Sequence, residues 1–162
     1  MNGAWRNRIV GLVLAATIFL LDQWVKMLVL GPWQLMEKGQ IYLLPFFNLT
    51  FTRNYGVSLG MFEANSVEMR WMLVGITATI ALVVFVWMLR ERKLWDVSAL
   101  ALVLGGALGN ILDRYNYGYV VDYADFHIGG FRPFLVFNIA DAAITIGVVI
   151  ILARALFIRE KR

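Results

Sequence analysis

The sequence predicts an all-α membrane protein: four transmembrane helices, with a small extracytoplasmic β-rich cradle between the first two spans. Three observations predict it. Of the 162 residues, 60% are hydrophobic and 16% charged, with a mean hydropathy of +0.70, against a charged fraction of about 25% in ordinary globular domains. The apolar residues are gathered into blocks of about 20, the length a helix needs to cross hydrocarbon. Only five charged residues fall inside those blocks: Asp22, Lys26, Asp96, Asp141 and Arg154. This segregation excludes a soluble domain.

The spans run over about 9–30, 71–89, 94–112 and 137–158, leaving 31–70 and 113–136 as long connections within one integral membrane domain, 1–162. The first block follows Arg6 and Arg8 but is too long for a secretory h-region and lacks a small-residue cleavage site, so it reads as a span. The tails 1–8 and 159–162 and the link 90–93 hold eight Lys or Arg in 16 residues; the two long connections hold five in 64. Positive flanks stay inside. Both termini are therefore expected to be cytoplasmic, and the connections extracytoplasmic. The net charge of +4 follows from this asymmetry, and no nucleic-acid partner is expected. With no cysteine and a single histidine, His127, thiol chemistry, disulfides and most zinc geometries are excluded. No metal or cofactor is expected, and the chain is expected to be a monomer.

The outer connections far exceed what turning a helical hairpin requires, whereas the inner link is only four residues long. Function is therefore expected on the outer face. Within the first connection, 41–53 reads IYLLPFFNLTFTR, with Phe47, Leu49 and Phe51 alternating against Asn48, Thr50 and Thr52. That is a strand pattern. An open sheet cannot sit in lipid with unpaired edges, so these strands belong at or above the interface. Pro45 marks an edge or a kink. Asn54-Tyr55-Gly56 is a turn signal, and Phe46, Phe47, Phe51 and Phe62 would form an aromatic platform near the headgroups.

An ionisable group inside a span costs about 2.5–3.5 kcal/mol near the helix centre on insertion scales and marks a functional candidate by default. Asp22, Asp113, Arg114 and Asp141 all fall in the outer half or rim of the bilayer, close enough in depth to meet. Each also has a plain reading: Asp22 and Lys26 are an i,i+4 pair that could neutralise itself, and Asp113 and Arg114 could be ordinary interfacial charges. Asp96 and Arg154, near the inner ends, can snorkel to water. Asn110 with Arg114, and Asn138 with Asp141 and Thr145, line single helical faces. Gly105 and Gly109 form a small-xxx-small pair suited to close helix packing. Tyr119, Val120 and Val121 place Asp122 on a short extended segment tucked against the bundle.

Taken in order, Asp22-Gln-Trp-Val-Lys26, Asn54-Tyr-Gly56, Gly109-Asn-Ile-Leu-Asp-Arg114 with Gly118-Tyr-Val-Val-Asp122, and Phe137-Asn-Ile-Ala-Asp141 resemble the motifs of lipoprotein signal peptidase, or signal peptidase II. The resemblance spans nearly the whole chain; one departure is Val57-Ser-Leu59, where members more often carry small residues and then an aromatic. It implies a bacterial inner-membrane aspartyl endopeptidase. Such an enzyme removes the signal peptide from a diacylglyceryl-modified prolipoprotein, cutting before the lipidated cysteine, with its site near the extracytoplasmic face. By the same resemblance Asp122 and Asp141 would be the catalytic pair. Asn54, Gly56, Asn110, Arg114 and Asn138 would position the pair or the substrate, and Asp22 with Lys26 would support the site. The chemistry agrees: two carboxyls close together in a low dielectric share one proton, which supplies a base and an acid at one pH.

Two rivals come from other classes. A small four-span proton-coupled transporter would place its charges near the midplane and keep connections short on both sides, whereas these acids gather at one rim. A scaffold or lipid-binding protein would not need two acids at one depth. A serine hydrolase lacks both a base for Ser58, Ser66 or Ser98 and a nucleophile elbow. His127 reads as an interfacial or structural residue.

Overall fold

A computed structural model describes residues 3–56 and 66–157. Its long helices are α1 (Gly3–Leu30), α3 (Val67–Arg90), α4 (Leu94–Tyr117) and α5 (Ile139–Phe157), all long and apolar enough to cross a membrane. The single turn α2 (Leu35–Lys38) leads into β1 (Gln40–Leu44) and β2 (Phe47–Asn54), and β3 (Val120–Phe126) follows α4. Part of the aromatic platform, Phe62, and the Val57-Ser-Leu59 departure lie outside the described residues.

Helix α4 is the hub. Over half of its apolar window is buried, against about a fifth for each of the other spans, and it packs on α1, α3 and α5. Small residues make this possible: a Cβ on Gly105 would meet the Ala15 carbonyl oxygen at 2.5 Å, and one on Gly147 the Ala99 carbonyl oxygen at 2.6 Å. At the inner end Ala15, Ala81, Met88, Val97, Leu100 and Leu104 form an apolar core. Asp96 and Arg154 are each part-exposed and form a two-pronged ion pair joining α4 to α5. Ser66 accepts a hydrogen bond from the Met69 amide at 3.1 Å and starts α3, satisfying an amide that the first helical turn leaves free.

The three strands form one antiparallel sheet in the order β1-β2-β3. Pro45 and Phe46 make the two-residue turn of the β1–β2 hairpin, where a missing amide hydrogen costs nothing. The cradle is thus not built from the first connection alone, since its third strand comes from the second. Residues Thr50 and Phe51 bulge from β2 between the pairs Leu49↔Ala124 and Thr52↔Asp122, which re-aims the end of β2 along Val120–Asp122. Val29, Leu35, Leu49, Val121, Tyr123 and Ala124 pack the sheet onto the outer ends of the helices. Phe47 and Phe51 lean on this cluster, while Phe46 remains half-exposed.

Two boundaries beside the sheet differ from the hydropathy count, each for a polar reason. Helix α4 continues five residues past Leu112 because Asp113 is buried with partners, and it ends where Gly118 takes a left-handed conformation (φ 84°) and turns the chain into β3. Helix α5 starts at Ile139 rather than at 137. Phe137 instead bridges Ala124 through two backbone hydrogen bonds of 2.7 and 3.1 Å. Asn138 then caps the helix, its side-chain oxygen accepting from the Asp141 amide at 2.8 Å.

Candidate active site

Between the inner apolar core and the sheet lies a buried polar layer comprising Asp22, Lys26, Asn110, Asp113, Asp122 and Asn138, each at most 8% exposed. Asp122 reaches it from β3, and Asp141 from the first turn of α5. One side chain bridges them: Asn138 donates from Nδ2 to Asp122 Oδ1 at 2.7 Å while its Oδ1 holds the Asp141 amide. Asp141 Oδ1 receives a second amide, Asn110 Nδ2, at 2.8 Å. Asn54 donates to Asp122 from the end of β2. Burial, and next the charge of Asp141, push the Asp122 carboxyl up to about 7, against the pull of the Asn54 and Asn138 hydrogen bonds and of Lys26.

Beneath the two acids, Lys26 Nζ lies 2.8 Å from Asp22 Oδ2 and 2.7 Å from Asp113 Oδ2, and donates to Asn110 Oδ1 at 3.4 Å. The i,i+4 pair therefore does not stand alone, because Asp113 shares its lysine. Gln23 donates to Asp22 Oδ2, Asp113 Oδ1 and the Gly109 carbonyl at 3.0–3.3 Å. Gly109 belongs to this layer as well: a Cβ there would sit 2.5 Å from Asp22 Oδ2, so its small size makes room for a carboxylate as much as for a helix.

Arg114 lies one turn above Asn110, where the charges of Asp141, Asp122 and Asp113 all act on it. Its Nε is buried and has no hydrogen-bond partner among the described residues. Gly56 (φ 81°) follows the turn in which Asn54 Oδ1 accepts the Gly56 amide at 2.8 Å. A Cβ on Gly56 would come 3.2 Å from Arg114 Nη2, so glycine is required both by the left-handed backbone and by the guanidinium beside it. Two grooves reach the site, one at Asp141 and one at Asn110 and Arg114. One, about 330 Å³, is lined by Phe134, Leu135, Phe137, Asp141, Ala142, Thr145 and Ile146. The other, about 160 Å³, runs over α4 between Thr77, Ile80 and Ile144 to Asn110 and Arg114. Both are mostly apolar and lead to polar groups at one end, as a site for an amphiphile requires.

Of the nine residues singled out from the sequence, Asp22, Lys26, Asn110, Asp122 and Asn138 lie in this layer, part-buried Asn54, Arg114 and Asp141 adjoin it, and exposed Gly56 sits against Arg114. The sequence left Asp113 open between a functional candidate and an ordinary interfacial charge and outside the site set, and Gln23 was not singled out; spacing was the available signal, since Asp113 lies three residues after Asn110 on the same helix. Thr145 shares the helical face of Asp141 but is exposed and donates to the Asp141 carbonyl at 2.8 Å, so it lines the groove and lies outside the polar layer. Asp125, three residues from Asp122, faces the other side of β3. There Arg132 clamps it through two bonds of 2.9 and 3.2 Å and Thr50 donates at 2.8 Å, and Arg132 holds its carboxyl below the usual range. His127 pairs with Asn48 at 2.8 Å beside them. Among the described residues no three His, Cys, Asp or Glu side chains gather as metal ligands.

The arrangement offers a buried carboxyl, Asp122, and a part-buried one, Asp141, tied through Asn138 to the Asp141 backbone amide, with a cation beside them and two apolar approaches. A family model described as signal peptidase (SPase) II matches residues 14–157. The lipoprotein signal peptidase of Sphingopyxis alaskensis is 57% identical over 151 residues, covering 93% of this chain and 87% of that protein. That of Rhizorhabdus wittichii is 52% identical over 156 residues, covering 96% and 91%. A bacterial membrane enzyme solved by the in meso method at 1.9 Å superposes with a TM-score of 0.78 at 31% identity, over 91% of this chain and 93% of that one. A second, at 2.3 Å, gives 0.73 at 28%, over 94% and 93%.

Proposed function

The chain belongs to the signal peptidase II family of aspartic peptidases, and from that premise we propose that Asp122 and Asp141 are the catalytic pair with which it cleaves signal peptides from prolipoproteins. The observation that carries the assignment is the Asn138 side chain, which bonds Asp122 and holds the Asp141 amide at once. Burial and the charge of Asp141 push Asp122 up to about 7, so the pair holds one proton near neutral pH, and on the side of Asp122 that proton makes a hydrogen bond to the scissile carbonyl. Asp141, at the mouth of the larger groove, takes a proton from the attacking water. The roles then reverse, and the departing amine receives its proton from the pair. The titration belongs to the pair as a unit.

Asn54, Asn110 and Asn138 hold the two carboxyls, and Gly56 leaves room for a peptide backbone beside Arg114, whose guanidinium suits a carboxylate or a lipid phosphate. Asp22 and Lys26 support the layer from below. The substrate is a precursor carrying diacylglyceryl on its cysteine, cut on the N-terminal side of that residue. Signal helix and acyl chains enter sideways from the bilayer along the apolar grooves. The enzyme is a multi-pass protein of the bacterial cytoplasmic membrane, with both termini inside, the pair near the outer face, and works as a monomer.

The test is cleavage of a diacylglyceryl-modified precursor by the purified enzyme in bilayers. Asp122→Asn and Asp141→Asn should each abolish turnover, and full activity in both would sink the assignment. The unmodified precursor should be turned over poorly; equal rates for both forms would remove lipid recognition. A cysteine at Glu37→Cys should react with an impermeant reagent from outside spheroplasts, and labelling only after lysis would invert the topology.

A further inference from the structure

The buried Asp22, Lys26 and Asp113 need explaining, because a buried ion cluster stabilises a fold no better than apolar residues of the same volume. Its connections share a pattern. Asp113 Oδ2 accepts the Val121 amide at 3.0 Å, and Val121 immediately precedes Asp122. Asp22 Oδ1 accepts the Ala140 amide at 3.0 Å, and Ala140 immediately precedes Asp141. Each carboxylate thus grips the backbone one residue before a catalytic acid, one on β3 and the other on the first turn of α5. Lys26 Nζ lies within 2.8 Å of both.

A third arm reaches the acids through side chains. Lys26 has only donors, so the Asn110 oxygen must face it, and the Asn110 Nδ2 then faces Asp141. An amide turned the other way would point an oxygen at a carboxylate. The Asn138 orientation is fixed similarly by the Asp141 amide, which sends its Nδ2 to Asp122.

We propose that Lys26, acting through Asp22 and Asp113, is a positioning residue that sets the separation of the two catalytic carboxyls and the donor sense of the amide facing Asp141. This rests on the assignment of Asp122 and Asp141 as the pair and assigns Asp113 a role in it. Removing the ammonium leaves two carboxylates that repel, pushing β3 and α5 apart at the two residues that must share one proton. A displacement of about 1 Å at reacting groups costs on the order of 10²-fold in rate.

The test uses the full chain in bilayers with Lys26→Met and with Lys26→Met/Asp113→Asn, which removes one charge of each sign. Rates are expressed per folded, monodisperse protein. In Lys26→Met kcat should fall about 10²-fold with KM within about threefold of wild type. The double variant, with no repelling pair but also no ammonium to turn the Asn110 oxygen away from Asp141, should fall less. In both the basic limb of the kcat–pH profile should move, because the coupling between the acids has changed. Lys26→Arg, which keeps the charge, should recover part of the rate. A folded Lys26→Met with kcat within threefold of wild type overturns the proposal. So does a loss of rate with an unmoved pH profile, or failure of both variants to fold, since any of these makes the cluster framework alone. Asp122→Asn and Asp141→Asn run in the same assay separate the two claims. If they stay active the pair itself is wrong; if they are dead while Lys26→Met is normal, only the role of Lys26 fails.

Discussion

The molecule holds two sets of intramembrane ions, one at each end of α4, and they are built differently. At the inner end Asp96 and Arg154 form a direct pair at 25% and 20% exposure. About 25 Å away along the same helix, Asp22, Lys26 and Asp113 are between 0% and 2% exposed and reach four further residues, Gln23, Asn110, Val121 and Ala140, through hydrogen bonds. A charge that touches water needs only one partner, whereas a charge cut off from water needs every lone pair and proton satisfied. Satisfying them ties the outer set to whatever lies beside it, and that neighbour is the pair of acids.

Substitutions can break or sharpen this contrast. The largest effect is expected at the acids: Asp122→Asn and Asp141→Asn should each lower kcat by roughly 10³-fold or more, the scale of a lost acid or base, as read by precursor cleavage. Next comes Gly109→Ala, which adds a methyl against the Asp22 carboxylate and should cost on the order of tenfold or more in kcat. Gly105→Ala, at the α1 crossing, should instead lower the melting temperature and leave kcat per folded enzyme unchanged.

A smaller effect is the pH response. The Asp122 carboxyl, held at about 7 by burial and the Asp141 charge, should lose its proton above that pH, and turnover should fall about tenfold per unit through the next unit or two. Stability follows from the same displacement. Folded Asp122 keeps a proton that the unfolded chain, at the ordinary 3.8, releases, so this group's contribution falls as pH rises from about 4 to 7 and is level beyond. Asp122→Asn should flatten that part of a melting-temperature profile. The smallest effect is expected at the inner pair: Arg154→Met should cost about 1 kcal/mol or less and leave turnover within twofold. A larger loss of rate there would erase the distinction between the two ends.

How much of this could be read in advance depends on the range of the interactions. The spans were legible because hydrocarbon imposes its rule on every residue of a helix, and β1 and β2 because Phe47 to Thr52 alternate. The joining of β3 to β2 carries no local signal, since Thr52 and Asp122 lie far apart in sequence. Hydropathy could not decide between the two readings of Asp113, because a window assigns the same cost to an aspartate whether or not a lysine faces it. Motif order brought together Asp22, Lys26, Asn54, Asn110, Arg114, Asn138, Asp122 and Asp141. Their donors and acceptors needed geometry, because the sense in which an asparagine points is set by neighbours from other elements.

The first three amides of α5 are taken by three separate parts of the chain: Ile139 by the Tyr123 hydroxyl at 3.4 Å, Ala140 by Asp22, and Asp141 by Asn138. During synthesis Asp22 enters the membrane first and the helix bearing Asp141 last. A chain that has inserted the other described elements but not α5 already holds Asp122, yet it lacks Asp141 and the tie that Asn138 makes between the two residues. On the proposed assignment, the site is therefore complete only once α5 has packed against α1 and β3.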